Sequence, residues 1–223
     1  MKQPLWKIWL SYLTELHIES TESEYNPHLY VSLRNGRYQL SAAHAVYSYA
    51  DLYTNFRKAF SDIQIQSQPV KEVLILGFGL GSIPYMLEQV FDCKFNYTAV
   101  ELDEEVLYLA NKYVLDELAS PIEIITADAL AYVAQSDQQY DLICMDVFLD
   151  DAVPEDFETQ DFLQNLREML TPQGILLYNR LAYSSSDRAN ATDFFQNRFL
   201  KTFPEGTYID TKENWILLNR SFS

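Results

Sequence analysis

The stretch VLILGFGLGS at residues 73–82, followed further along the chain by AVELD at 99–103, decides the fold of this protein. The first stretch predicts a buried strand that runs into a glycine-rich turn and the start of a helix. The second predicts the next strand, which ends in the carboxylate of Glu101. A glycine-rich turn lets the backbone approach a ligand closely, and the helix after it presents free N–H groups. The pattern therefore predicts a pocket for a nucleoside-bearing ligand.

The composition limits the classes of protein to consider. The chain has 223 residues, 48% of them apolar, which suits one main domain with a small appendage. Its net charge of −16 argues against nucleic acid and favours a cationic small substrate, although solubility alone also explains it. No apolar run approaches the roughly 18 residues of a membrane span, and we expect no membrane partner. Cys93 and Cys144 lie in apolar segments, as core cysteines of a reducing compartment do, so we expect a cytoplasmic protein.

The hydrophobic rhythm changes near residue 60, and we place a domain boundary there. Residues 1–60 are expected to form a small N-terminal β-hairpin region with a linking helix, and residues 61–223 a Rossmann-like domain. Asn35-Gly36 between two alternating segments predicts a hairpin turn. An earlier strand is expected within residues 9–19, and apolar spacing predicts a helix over 42–60.

After Pro69 apolar strands alternate with helices, which predicts an α/β fold with a parallel sheet covered on both faces. Strands are predicted at 72–76, 95–100, 122–126, 141–145 and 174–179, and helices at 82–91, 103–115, 128–135, 159–170 and 187–202. Ser82, Asp103 and Thr159 are predicted N-caps. The segments 207–210 and 215–219 predict a closing hairpin whose last strand runs antiparallel.

Three glycines and two acids are the candidate ligand-binding residues. Gly77, Gly79 and Gly81 have the spacing GxGxG, which is more typical of folds that bind S-adenosylmethionine than the GxGxxG of dinucleotide folds. That spacing alone leaves an NAD-dependent oxidoreductase open. Glu101 can accept hydrogen bonds from both ribose hydroxyls at the tip of its strand. Asp128 can accept a hydrogen bond from the exocyclic amine of adenine, or it can cap the next helix.

A further strand ends at Asp146, and Asp150 and Asp151 follow in a short loop. Clustered carboxylates at this edge can bind a polyamine, and one with a suitable pKa can take a proton from an amine. A solvated acidic loop is the alternative. A metal would lack His or Cys ligands here, so we expect none.

The order and spacing of these motifs resemble the spermidine synthase family of aminopropyltransferases, within the broader S-adenosylmethionine methyltransferase fold. The resemblance covers roughly residues 19–180 and rests on VLILGFGLGS, AVELDEEVLYLANKY, ITADALAYV, YDLICMDVFLDD and FETQDFLQNLREMLTPQGIL. It implies a Rossmann-like, seven-stranded methyltransferase sheet, mostly parallel with an antiparallel last strand, behind a small N-terminal β-region.

The resemblance also implies roles for individual residues. Glu101 matches the ribose-binding acid, Asp128 the adenine-binding acid and Asp146 the general base. Tyr49 matches the tyrosine near the amine acceptor, and either Asp150 or Asp151 matches the second acid of the loop. The implied donor is S-adenosylmethionine or its decarboxylated form, the implied acceptor is a polyamine, and the implied assembly is a homodimer.

Two positions depart from the family. Its glycine turn usually has an aspartate that helps to hold the amine of the aminopropyl donor, and this chain has Leu80 there. A leucine cannot replace a charge-assisted hydrogen bond. After the fifth strand, residues 179–182 replace a polar Gln/Glu stretch of the family. Three functions therefore stay open: an aminopropyltransferase, an S-adenosylmethionine-dependent methyltransferase, and a non-catalytic homologue that acts as a binding or interaction protein.

Overall fold

The computed structural model describes residues 3–42, 46–149 and 153–222, which form two β-sheets and the helices packed on them. Helix α1 (Leu5–Leu10) precedes a small sheet whose four antiparallel strands follow chain order. These strands are β1 (Leu16–Thr21), β2 (Leu29–Arg34), β3 (Arg37–Ser41) and β4 (Val46–Ser48). Asn35 and Gly36 form the turn between β2 and β3 with φ of 49° and 73°, as their sequence predicts.

The larger sheet has seven strands in the order β10-β11-β9-β8-β5-β6-β7. The strands are β5 (Glu72–Leu76), β6 (Asn96–Glu101), β7 (Ile122–Thr126), β8 (Tyr140–Met145), β9 (Leu170–Leu181), β10 (Thr207–Asp210) and β11 (Asn214–Leu218). Strands β5 to β9 pair in parallel, whereas β10 and β11 form an antiparallel hairpin at one edge. The predicted α/β class, the mostly parallel sheet and the antiparallel last strand are confirmed.

Seven further helices connect the strands of this sheet or lead into it. They are α2 (Thr54–Asp62), α3 (Ser82–Gln89), α4 (Glu104–Tyr113), α5 (Ala129–Gln135), α6 (Gln160–Glu168), α7 (Ser185–Phe194) and α8 (Leu200–Thr202), with a π-helical turn at Phe195–Phe199 between the last two. Asp103 and Thr159 cap α4 and α6 as predicted. The cap predicted at Ser82 is wrong, because Gly81 takes the N-cap position and the Ser82 hydroxyl bonds to Ser48 instead.

The predictions for the segment before residue 60 are partly wrong. Residues 46–48 form strand β4 and the helix begins only at Thr54, while residues 43–45 lie outside the described part of the chain. Two features interrupt the predicted α-helix here. Ser82 Oγ accepts the Tyr49 backbone N–H at 3.0 Å, and Ala50, which has a left-handed φ of 44°, opens only a short 3-10 turn at Ala50–Leu52. Near the N-terminus, the expected strand begins later, at Leu16, and α1 was not predicted.

The core lies on both faces of the larger sheet, because successive residues of a strand point to opposite sides. Val73 and Ile75 pack into one hydrophobic cluster, and Leu74 and Leu76 pack into the other. The first cluster also contains Val31 and other buried residues of the small sheet, so the two sheets share a continuous core. The division at residue 60 stays a prediction.

None of the helices among the residues that the structure describes has both the length and the hydrophobicity needed to cross a membrane.

Candidate active site

A cavity of about 960 Å³ lies at the carboxyl ends of β5, β6, β7 and β8. Ligands bind at this edge in open α/β sheets. The cavity is lined by six of the predicted site residues, Tyr49, Gly77, Gly79, Glu101, Asp128 and Asp146. Gly81 and its neighbour Leu80 instead line a separate cavity of about 300 Å³ next to α1. Asp150 and Asp151 lie outside the residues that the structure describes.

The glycine turn after β5 forms part of the cavity floor. Gly77 has a φ of 84°, a region that side chains other than glycine rarely adopt. A Cβ atom on Gly77 would also lie 2.4 Å from the backbone carbonyl oxygen of Asp146. Both the conformation and the space at residue 77 therefore require glycine. Gly79 has a φ of 56°, but its added Cβ would lie 3.2 Å from the Ser48 Cβ atom and 3.4 Å from the Tyr47 carbonyl oxygen, which is much less crowded than at Gly77.

Glu101 ends β6 and holds this turn through its carboxylate. Oε2 accepts the backbone N–H groups of Phe78 at 2.9 Å and Gly79 at 3.1 Å, while Oε1 accepts those of Leu102 at 3.0 Å and Asp103 at 3.2 Å. Burial raises the pKa of the Glu101 carboxyl, and the backbone N–H groups oppose that shift. The sequence predicted ribose hydroxyls as partners of Glu101, but it did not predict these backbone partners.

The small sheet contributes one wall of the cavity. In the loop between β1 and β2, Ser23 Oγ and Asn26 Nδ2 donate to Asp103 Oδ2 at 2.5 and 3.0 Å. The Tyr47 hydroxyl donates to Asn26 Oδ1 at 2.9 Å. Asp103 also caps α4 by accepting the N–H of Glu105. The same carboxylate therefore starts the helix and anchors the wall.

Asp146 follows β8 directly and faces the cavity. Its Oδ1 atom accepts the Tyr53 hydroxyl at 3.1 Å and the Asn179 Nδ2 amide at 2.8 Å. Burial raises the pKa of Asp146 to about 7, the two hydrogen bonds lower it, and the negative charge of Glu101 raises it. This carboxylate therefore changes its protonation state near neutral pH, as a general base must.

Tyr53 and Asn179 are site residues that the sequence reasoning missed. The predicted Tyr49 hydroxyl donates to the Arg34 carbonyl at 3.3 Å and accepts from Asn35 at 3.1 Å, so it binds the hairpin turn rather than Asp146. Tyr53 lies four residues further on and makes the contact with Asp146. A signal for Asn179 was present in the sequence, because this amide directly follows the apolar run 175–178, at the end of a strand predicted over 174–179.

Asp128 lies at the end of β7 and caps α5. Its Oδ1 accepts the backbone N–H of Leu130 at 2.7 Å, and the side chain is exposed to the cavity and solvent. The capping role that the sequence offered as one alternative is thus present. Capping uses one carboxylate oxygen, which leaves the other able to accept a ligand amine.

The cavity is acidic. Its described lining contains two basic residues, Arg34 and Lys212, against six carboxylates: Glu101, Asp103, Asp128, Asp146, Asp156 and Glu213. A surplus of negative charge in a cleft raises the local concentration of cations. Within residues 3–42, 46–149 and 153–222, no group of three or more His, Cys, Asp or Glu side chains converges to hold a metal ion.

The match to a family model identifies the family. Residues 57–208 match the spermine/spermidine synthase domain, and this range includes the glycine turn, Glu101, Asp128, Asp146 and Asn179. The chain belongs to the spermine/spermidine synthase family. The resemblance predicted from the motifs is confirmed.

Curated relatives within and beside the spermidine synthase family match parts of the chain. A probable polyamine aminopropyl transferase of Bifidobacterium longum is 37% identical over 106 residues, which cover 48% of this chain and 23% of that protein. The human eEF1A lysine and N-terminal methyltransferase is 30% identical over 119 residues, which cover 48% of this chain and 17% of that protein. The chain therefore spans less than a quarter of the length of these two relatives.

A solved spermidine synthase, in complex with the transition-state analogue AdoDATO, shares the fold. It superposes with a TM-score of 0.71 and 17% sequence identity, and the alignment covers 91% of this chain and 72% of that structure. At this identity the likeness concerns the fold, including the methyltransferase-like sheet order described above.

Gly77→Ala should destabilise the protein more than Gly79→Ala. Both substitutions place a side chain at positive φ, which costs about 1–2 kcal/mol, but only residue 77 also forces a Cβ against backbone atoms. We expect a loss of more than about 2 kcal/mol for Gly77→Ala and about 1 kcal/mol for Gly79→Ala. Urea unfolding measures both, and equal losses would contradict the close approach of Gly77 to Asp146.

Asp146→Asn should stabilise the folded chain at pH 8 but not at pH 4. Burial raises the pKa of Asp146 in the folded state from the ordinary 3.8 to about 7, so the unfolded chain ionises first. The wild-type free energy of unfolding therefore falls as pH rises between these values. Asparagine keeps an oxygen for Tyr53 and Asn179 and removes the buried charge. Between pH 5 and pH 8, the stability of the variant relative to wild type should rise by roughly 2 kcal/mol.

Urea unfolding at several pH values tests this expectation. Asp137→Asn is the matched control, because Asp137 is an exposed carboxylate before β8, at the opposite end of the strand from Asp146. A relative stability of Asp146→Asn that does not change with pH would show that the pKa of Asp146 is not raised in the folded state.

Proposed function

We propose that this chain transfers an aminopropyl group from a decarboxylated S-adenosylmethionine-type donor to an amine of a polyamine, with Asp146 as the general base. One observation carries the proposal: a carboxylate that titrates near pH 7 faces the cavity whose floor is the glycine turn. Membership of the spermine/spermidine synthase family supports it.

The nucleoside half of the donor would lie against the glycine turn. Gly77 and Gly79 line the cavity and are only partly buried, so a ligand can approach their backbone closely. Glu101 would accept the ribose hydroxyls, sharing the oxygens that hold the longer bonds to Gly79 and Asp103. Asp128 would accept the adenine amine with the oxygen that does not cap α5. Gly81 would act indirectly, by starting α3 at its N-cap.

The negative charge of the cavity supports a polyamine as the acceptor substrate. A polyamine carries ammonium groups with a pKa of about 10, so it enters as a cation and must lose a proton before it can act as a nucleophile. Six carboxylates in the described lining favour the cation. We assign substrate binding to Tyr49 at the cavity wall and to the loop acids Asp150 and Asp151, as the family resemblance implies.

The proposed step balances as a nucleophilic displacement. Asp146 takes a proton from the attacking amine, and the nitrogen lone pair forms a bond to the methylene next to the donor sulfonium. The carbon–sulfur bond breaks and its electrons stay on sulfur, which becomes a neutral thioether. Holding both reactants in line supplies much of the rate enhancement. Tyr53 and Asn179 would keep Asp146 oriented, since both bond to its Oδ1 atom.

A methyltransferase that uses S-adenosylmethionine itself is the second candidate. Leu80 favours it, because the position where the family usually has a donor-binding aspartate holds an apolar side chain that faces the smaller cavity. The partial match to the human eEF1A methyltransferase is in line with it. The third candidate is a non-catalytic homologue that binds the nucleoside or a partner.

We also propose a homodimer and a cytoplasmic location, both from the family resemblance. Cys93 and Cys144 are buried and unpaired, which fits a reducing compartment. Light scattering of the purified protein tests the dimer directly.

A ligand panel measured by thermal shift separates these candidates, because a ligand that binds only the folded state raises the melting temperature. The panel is S-adenosylmethionine, its decarboxylated form, methylthioadenosine, S-adenosylhomocysteine and NAD, each with and without putrescine. We expect the largest shift for decarboxylated donor or methylthioadenosine with putrescine. Preference for S-adenosylmethionine and S-adenosylhomocysteine favours the methyltransferase, and silence across the panel contradicts both enzymes. A shift with NAD alone contradicts the nucleoside assignment.

Asp128→Asn is the matched variant for this panel. Asparagine is as good an N-cap as aspartate, so α5 is kept, but an amide cannot offer a free carboxylate oxygen to adenine. The variant should melt like wild type without ligand and bind every adenosine ligand more weakly. An unchanged shift removes Asp128 from the site.

Loss of the base should abolish most of the turnover. Asp146→Asn should lower kcat by about 10²–10⁴-fold, the usual contribution of a general base. The kcat of the wild type should rise as pH increases through about 7, since Asp146 must be ionised to accept the proton. Turnover is measured as methylthioadenosine released, with Asp137→Asn as the control. Unchanged turnover in Asp146→Asn rules out this mechanism.

A further inference from the structure

A row of three polar side chains crosses neighbouring strands at the cavity edge of the sheet. Asp146 follows β8, Asn179 lies in β9, and Asn214 begins β11. The register pairs Asn179 with Ile216 and Leu181 with Asn214. Asn214 is therefore the diagonal neighbour of Asn179 on the same face, within reach of a polar side chain.

The hydrogen bonds along this row have a direction. Asn214 Nδ2 donates to Asn179 Oδ1 at 3.0 Å, and Asn179 Nδ2 donates to Asp146 Oδ1 at 2.8 Å. An amide has one accepting and one donating end. While Asn214 donates, the oxygen of Asn179 faces it and the NH₂ group faces Asp146. A flipped Asn179 would set its oxygen against the ionised carboxylate and would require the Asn214 amide to turn as well, so the two amides can reorient only together.

Burial makes this direction important. Asn179 is fully buried, so water cannot replace a lost partner. The surroundings of Asp146 otherwise include the Tyr53 hydroxyl from the segment before α2, the Glu101 carboxylate from β6 and the Cys144 thiol on its own strand. Among these groups and Asn179, only Tyr53 and Asn179 donate to the carboxylate.

We infer that Asn214 is a positioning residue, which fixes the amide of Asn179 so that it always donates to Asp146. The inference rests on the proposed function only in taking Asp146 as the base. Without Asn214, Asn179 is free to turn and accept a hydrogen bond from protonated Asp146. That would stabilise the protonated form and leave less base at neutral pH. Asn214 lines the cavity, so the C-terminal hairpin reaches the reacting group through two amides.

The test measures the proton affinity of Asp146 without turnover. The free energy of unfolding of each variant is compared, across pH 4 to 9, with that of the same variant carrying Asp146→Asn. This difference falls as pH rises and then levels off. The pH at which its slope has dropped to half the maximum, called the midpoint below, is the pKa of Asp146 in the folded chain. Asn214→Ala should move this midpoint up by about half a unit to one unit, a roughly three- to tenfold gain in proton affinity. Asn197→Ala, which removes an exposed asparagine bonded to Asp193, should leave it in place.

A double-mutant cycle decides whether Asn214 acts through Asn179. Asn179→Ala should raise the midpoint at least as far as Asn214→Ala, and the double variant should show no further shift. A midpoint unmoved by Asn214→Ala, or shifts that add in the double variant, overturn the inference. Comparison at pH 4, where Asp146 is protonated in the folded state of every variant and its ionisation in the unfolded chain is the same for all of them, separates any general loss of stability.

The proposed function fails on different measurements. A silent ligand panel would remove the enzyme but would leave the midpoint of Asp146 readable by unfolding. Conversely, an active enzyme whose kcat profile does not move in Asn214→Ala would keep the function and remove the role of Asn214.

Discussion

The carboxylate of Glu101 is the interaction on which the rest of the site depends. This carboxylate, at the end of β6, accepts hydrogen bonds from four backbone N–H groups. Two belong to the glycine turn after β5 and two to Leu102 and Asp103, which lead into α4. A buried carboxylate is costly to ionise, and hydrogen bonds to the charged form offset that cost. Because Glu101 at the end of β6 holds the turn, the glycines with positive φ keep a fixed position beside the cavity. They are not mobile in the way that residues of a surface loop are.

Two carboxylates thus share the cavity edge with different surroundings. Glu101 receives four backbone donors, whereas Asp146 receives two side-chain donors on one oxygen. Backbone N–H groups have orientations that the fold fixes. Hydroxyl and amide side chains can rotate, so their own hydrogen-bond partners determine whether they donate to the carboxylate. This difference in surroundings suits the roles that we propose, in which Glu101 holds the turn and binds the ligand while Asp146 exchanges a proton.

Much of the larger sheet could be predicted from the sequence, because β5, β6 and β8 are short apolar runs that end at a glycine or an acid. Glu101, Asp128 and Asp146 could be placed at one edge for the same reason. The strand around Ser48 could not be predicted, because the spacing of apolar residues in this segment fits a helix. Its extended conformation depends on tertiary contacts with Ser82. Tyr53 was hidden for a similar reason: it lies in an aromatic-rich stretch, and its partner is 93 residues away.

The orientation of Leu80 has a consequence for any redesign of this turn. Its side chain is buried and lines the smaller cavity with Leu5, Ile8 and Tyr85. An aspartate at this one position would place a carboxylate among mostly apolar side chains, where burial opposes its charge, and would add nothing to the larger cavity. A carboxylate at residue 80 that reached the larger cavity would require a different backbone conformation of the turn, which a single substitution does not supply.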